Sequence, residues 1–166
     1  MNRTEQPAPA TPAHTCFTLR FSSTPRGARL ARRLCAERLD SWGVPYGSDD
    51  HDVLSLLVSE LTANAVTHGH VTGRDFRVHL LAHAAPGTPS LTVRVEVTDT
   101  RGDALPEPAA APAAGPVRTS GRGLLLVEAL ADRWGCAPRP DGPGKTVRAE
   151  YTVAAVARYG PSAAPS

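Results

Sequence analysis

From about Asp50 to His68 the apolar residues recur at the spacing of one helix face, with Val53, Leu57, Leu61 and Ala65 in line and Leu54 and Val58 beside them. A helix patterned this way is mostly buried, and it carries a second line of a different kind. Glu60, Asn64 and His68 stand at successive i, i+4 positions. They form one polar row with about 6 Å between neighbours. A carboxylate and an amide oxygen in one row are hard ligands and proton acceptors. Together they can hold a magnesium ion and a reacting hydroxyl side by side. A solvated stripe on an amphipathic helix would read the same way from this segment alone.

The flanking segments alternate between strand and helix patterns. Phe17, Leu19 and Phe21 alternate with Thr18 and Arg20, so a short strand is expected over Cys16 to Phe21. Thr24-Pro25 has the form of an N-cap followed by proline at N1, opening a helix whose apolar positions are Ala31, Leu34, Cys35, Leu39 and Trp42. Gly43 is its expected stop, and Ser48 with Asp49 and Asp50 suits the start of the next helix. Phe76, Val78 and Leu80 predict a second strand, and Pro86-Gly87 lies in a hairpin-like connection.

Leu91, Val93, Val95 and Val97 alternate with Thr92, Arg94, Glu96 and Thr98, the clearest strand in the chain. Asp99 keeps the parity of the apolar set, so it points toward the core. An unpaired carboxylate there costs several kcal/mol, so a partner from the protein or from a ligand is expected. Asp103 to Arg118 has neither period and reads as a functional or disordered loop. Ser120-Gly121-Arg122-Gly123 then feeds the helical run Leu124 to Leu130, with Trp134 and a stop at Gly135. That arrangement presents backbone N–H groups to an anion. Val147, Ala149, Tyr151 and Val153 alternate in a last strand.

Composition narrows the function classes. With 41% hydrophobic and 20% charged residues in 166, one globular, soluble domain is expected over residues 15–153. Residues 1–14, rich in Pro, Ala and Thr, are expected to be disordered and 154–166 to be a flexible tail. The net charge of +2 is small, and the densest basic patch, Arg26, Arg29, Arg32 and Arg33, suits the solvated side of a helix. Direct nucleic-acid binding is therefore not expected. Cys16, Cys35 and Cys136 are an odd number without a C-x-x-C pair, which argues for small core residues in a reducing cytosol and against a disulfide framework or zinc site. Met1 to Thr15 has no apolar h-region and no apolar run approaches a membrane span, so a cytoplasmic location is expected.

Each chemical feature has a plain reading by itself. Asp99 can cap a turn, paired glycines can serve a positive φ, and His68 reads as a helix-end residue near the last carbonyls. Taken in order, the chain offers an acid and an amide on a helix, an inward Asp ending a strand, a long loop, and a glycine turn opening a helix. These are parts for both ends of a nucleotide. No G-x-x-x-x-G-K-[ST] occurs, and no G-x-G-x-x-G follows the first strand, so neither a P-loop nor a Rossmann site fits.

This arrangement resembles the GHKL superfamily of ATPases, which includes gyrase, MutL, the histidine kinases and anti-sigma-factor serine/threonine kinases. Ser59-Glu60-Leu61-Thr62-Ala63-Asn64-Ala65-Val66-Thr67-His68-Gly69 looks like its N box, Val97-Thr98-Asp99 its G1 box and Gly121-Arg122-Gly123-Leu124 its G2 box. Ala131-Asp132-Arg133-Trp134-Gly135 and Gly144-Lys145-Thr146-Val147 look like the small single-domain branch related to the anti-sigma kinases. The resemblance implies an α+β fold, a two-layer α/β sandwich of the Bergerat type with helices on one face of a mostly antiparallel sheet. It implies ATP and Mg2+ as cofactors, with Asn64 on the metal and Glu60 as general base. Asp99 would accept the adenine amino group, residues 103–118 would form the ATP lid, and Gly102, Gly121, Arg122, Gly123 and Leu124 would bind nucleotide. Two departures stand out. Asp99-Thr100-Arg101-Gly102-Asp103 has its glycine displaced by one from the family's Asp-x-Gly-x-Gly. Related proteins also place a threonine near the adenine around Gly144-Lys145-Thr146, but Thr146 has the opposite parity to Val147 and Tyr151 and is not counted as a ligand.

What this implies is an ATP- and magnesium-dependent serine/threonine protein kinase that phosphorylates a small antagonist protein and regulates transcription by partner binding. Its partners would be a sigma factor, an anti-sigma-factor antagonist, or both, and a homodimer is left open. The alternative is a non-catalytic ATP-binding module that sequesters a sigma factor or another regulator. A domain with no ligand would show no ATP-dependent rise in melting temperature.

Overall fold

The computed structural model describes residues 13–68, 71–84, 86–101 and 122–154. In chain order the elements are β1 (Ala13–Ser22), α1 (Pro25–Ser41), α2 (Asp49–His68), β2 (Asp75–Ala84), β3 (Leu91–Asp99), α3 (Arg122–Leu130), β4 (Arg133–Pro138) and β5 (Lys145–Val153). The strands form one five-stranded sheet in the order β1-β2-β3-β5-β4, antiparallel at every step. With three helices beside it among the described residues, this is the expected α+β architecture. The expected lid, residues 103–118, and the glycines Gly69, Gly102 and Gly121 lie outside the described residues.

The alternation of β3 does what its pattern requires. Val93, Val95 and Val97 are buried on the inward side, and α2 lays Leu54, Leu57, Val58 and Leu61 over them. Phe76, Val78 and Leu80 of β2 and Val147 and Ala149 of β5 extend the same core. Each of these larger side chains contributes about 1.5–3 kcal/mol by leaving water. The opposite face is polar, with Arg94 bridging Glu150 at 2.6 Å and Thr98 meeting Thr146 through their hydroxyls at 2.8 Å. Thr146 therefore points away from the helices, as its parity requires.

The face of α2 differs from the expected one in detail. Val53 is only half-buried, whereas His51 and Thr62 are buried among the aliphatic residues. Both polar groups are satisfied. Thr62 Oγ1 donates to the Val58 carbonyl at 2.8 Å, and His51 Nε2 lies 3.2 Å from the Ala36 carbonyl of α1. A buried group whose hydrogen bond is made inside the helix costs little. At the start of α2, Ser48 Oγ accepts from the His51 N–H at 3.2 Å, and the Tyr151 hydroxyl of β5 donates to Asp50 at 2.7 Å. That hydrogen bond, followed by burial, pushes the Tyr151 phenol up to about 12. The helix is thus tied to the sheet at the end opposite Glu60 and Asn64.

Two boundaries and one burial depart from expectation. Trp134 and Gly135 do not end a helix. They lie in β4, with α3 stopping at Leu130, because residues 133–138 pair with β5 and Asp132 accepts the Thr152 N–H at 2.7 Å. β1 starts at Ala13, before the strand expected from Cys16. Cys16 itself is exposed on this edge strand and is not a core residue, while Cys35 is fully buried and Cys136 half-buried. Burial pushes the Cys35 thiol up to about 12, so at pH 8 it holds its proton and is shielded as well. Brief iodoacetamide treatment of the folded protein should alkylate Cys16 first and leave Cys35 untouched until denaturant is added. Equal labelling in peptide mass spectra would contradict this packing.

Candidate active site

α2 keeps its polar row on one side because the aliphatic residues fill the other. Glu60 and Asn64 are half-buried and His68, the last helical residue, is exposed. All three line a cavity of about 280 Å3 together with Ala63, Thr67, Gly123 and Leu124. The far wall is the first turn of α3, whose leading backbone N–H groups have no partner within the helix. Gly123, the described glycine of the expected turn, and the Glu–Asn row are thereby brought face to face across one opening.

The approach between the two helices is close. A Cβ built on Gly123 would stand 2.5 Å from Glu60 Oε2, so the carboxylate rests against the backbone of α3. No acidic side chain of α3 itself lies in its first turn, which leaves Glu60 as a carboxylate placed at its positive end. Gly123→Ala is therefore expected to push the flexible Glu60 side chain aside, at less than about 1 kcal/mol in stability since only its far end must move. ATP binding and any turnover should nevertheless fall sharply, because the methyl group and the displaced carboxylate both enter the cavity. Thermal melting and ATP titration of this variant separate the two effects.

Asp99 sits at the end of β3 with its side chain inward and is 3% exposed. Its expected partner is in the protein. Lys145 Nζ lies 2.9 Å from Oδ2, and the Arg101 N–H donates to Oδ1 at 3.0 Å. Lys145 opens β5 directly across from Asp99 and is 2% exposed. It was not among the expected site residues. Its parity with Val147 and Ala149, the rule that turned Asp99 inward, carries the signal. Asp99 does not line the cavity of Glu60 and Asn64; it borders a second one of about 330 Å3 with Phe76, Thr98, Thr100 and Arg139. Of the remaining expected residues, Arg122 is exposed at the start of α3 and Leu124 lines the first cavity.

The donor set can be tested against a magnesium ion. Among the described residues no group of three or more His, Cys, Asp or Glu side chains could hold a metal. An amide oxygen such as that of Asn64 suits a hard cation that takes most of its other ligands from water and phosphate, the mode magnesium prefers. The residues present fit that group. Among the described residues no helix is long and apolar enough to cross a membrane.

Residues 21–151 match the family model described as the histidine kinase-like ATPase domain. None of the curated proteins compared matches the chain. The family match spans most of the sequence and both walls of the cavity between α2 and α3. The chain belongs to the histidine kinase-like ATPase domain family, an ATP-binding domain type.

Proposed function

We propose that this histidine kinase-like ATPase domain is a magnesium- and ATP-dependent serine/threonine protein kinase of the anti-sigma-factor type. It phosphorylates a small antagonist protein and regulates transcription by binding a sigma factor, that antagonist, or both, in the cytoplasm. The observation that carries the reading is the pairing of Glu60 with Asn64 on one wall of a single cavity, facing the first turn of α3. A site that only held nucleotide needs the amide and the N–H groups, whereas a base beside them is what group transfer requires.

In this reading the serine or threonine oxygen of the partner forms a bond to the γ-phosphorus of ATP. The bond from that phosphorus to the β,γ-bridging oxygen breaks, and ADP leaves. Glu60 takes the hydroxyl proton. Asn64 would hold the metal ion when it is bound, and the backbone N–H groups at the start of α3 would hold phosphate oxygens. Magnesium, when bound, supplies neutralisation of the charge that develops on the transferred group. The experiment is transfer of labelled γ-phosphate from ATP to a co-purified or co-encoded antagonist. Label should appear on the antagonist with wild type and be lost with Glu60→Ala; equal labelling by both proteins would sink the kinase reading.

A second reading has an observation in its favour. The Glu60 carboxylate lies against Gly123, where it also serves as a counter-charge to α3. In a non-catalytic module that sequesters a regulator in a nucleotide-dependent manner, that structural service would be its whole role. ATP would then be bound in the partner's presence without being turned over.

A further inference from the structure

Lys145 is a buried cation for which the transfer chemistry has no use. It and Asp99 are cross-strand neighbours at the end of the sheet, both turned to the helix side. Gly144 fixes their approach. It holds φ +120°, and a Cβ there would run into the Asp99 carbonyl oxygen, so β5 enters the sheet pressed against the end of β3. Burying an ammonium with a carboxylate costs desolvation that the pair repays only with good geometry and further hydrogen bonds. Lys145 Nζ has the Asp99 carboxylate at 2.9 Å and the Arg101 carbonyl at 3.4 Å. That uses two of its three N–H groups among the described residues. Asp99 accepts from Lys145 and from the Arg101 N–H, which leaves about two of its roughly four lone-pair positions.

This arrangement alters what a purine base would meet. A lone carboxylate accepts the 6-amino group of adenine but repels the 6-oxo group of guanine, since two acceptors then face each other. With an ammonium bonded to it, the carboxylate is charge-compensated and stands beside a donor. Adenine can then donate its amino group to Asp99. Guanine can donate N1–H to Asp99 with O6 toward the cation.

We infer that Lys145 is a base-specificity determinant, which by neutralising Asp99 opens this ATPase-family site to 6-oxopurine nucleotides, GTP included, alongside ATP. The inference rests on the reading that Asp99 faces the base of a nucleotide held at Asn64 and α3. Its test is calorimetric titration of the full chain, with magnesium, against ATP, GTP and ITP; ITP carries the 6-oxo group without the 2-amino group. For wild type the three dissociation constants should agree within about tenfold, a spread of about 1.4 kcal/mol. Lys145→Thr should weaken GTP and ITP by at least about tenfold relative to ATP, the scale of one misplaced hydrogen-bonding pair.

Binding of ATP by wild type with GTP and ITP more than about hundredfold weaker, some 2.7 kcal/mol, overturns the inference and leaves the ATP site standing. An unchanged ratio in Lys145→Thr overturns it too. If no nucleotide binds, the reading beneath it falls as well. Should Lys145→Thr fail to unfold cooperatively, having stranded a buried carboxylate, the wild-type ratio of ATP to GTP decides alone.

Discussion

Asn64→Ala is expected to lose magnesium-dependent ATP binding by at least about a hundredfold, since even groups that only orient a metal's ligands cost ten- to a hundredfold when removed. Asn64 lines the cavity from the middle of the α2 row, half-buried, with its neighbours on the apolar side fixed by Leu57, Leu61 and Ala65 against the sheet. The side chain itself carries none of that packing. The folded protein should therefore melt within a few degrees of wild type while calorimetric titration with ATP shows little heat. Asn64→Asp, which keeps an oxygen at the same reach, should retain part of the affinity. Full ATP affinity in Asn64→Ala would place the metal and phosphates elsewhere.

Glu60→Gln separates binding from transfer. The amide keeps the volume and one acceptor oxygen against α3 but is no longer a useful proton acceptor. Phosphoryl transfer to the antagonist should fall by about 10²–10⁴-fold, the usual contribution of a positioned general base. ATP binding should change by less than about tenfold, because in the proposed reading the phosphates are held mainly by Asn64 and by the N–H groups of α3. Single-turnover transfer and equilibrium binding, measured on one preparation, give the two numbers. A drop in both by equal factors would mean that Glu60 serves only as the counter-charge of α3.

The parts of the molecule that follow from a simple period were readable before any coordinates. The apolar row of α2 and the alternation of β3 placed the core, and parity alone turned Asp99 inward to 3% exposure. Gly123 and Leu124 stand in the first turn of α3 and share a cavity with Glu60, where the sequence pattern had a helix begin. What escaped depends on partners distant in sequence. β4 reads Arg-Trp-Gly-Cys-Ala-Pro, with no clean alternation, and it is a strand because β5 pairs with it and Asp132 is held by Glu150 and Thr152. The insertion of β5 between β3 and β4 leaves no local trace either.

Lys145 shows the limit from the other side. Its inward parity was available, but that Asp99 and Lys145 are register partners 2.9 Å apart follows only from the pairing of β3 with β5. His51 and Thr62 are buried because their hydrogen bonds close onto the Ala36 carbonyl of α1 and within α2 itself, a satisfaction that hydrophobicity does not encode. Cys16, patterned like a core residue by type, is exposed because it shares the parity of Thr18 and Arg20, on the face of β1 opposite to the buried Phe21.

The central claim is that ATP and its metal sit between the α2 row and the first turn of α3. Paramagnetic manganese in place of magnesium locates that metal directly in a 1H–15N spectrum of the full chain. With ATP present, broadening should centre on the amides of Asn64, Gly123 and Leu124, spare those of β1, and vanish when ATP is omitted. Broadening centred elsewhere, or broadening indifferent to ATP, would contradict the assignment of this cavity as the nucleotide site.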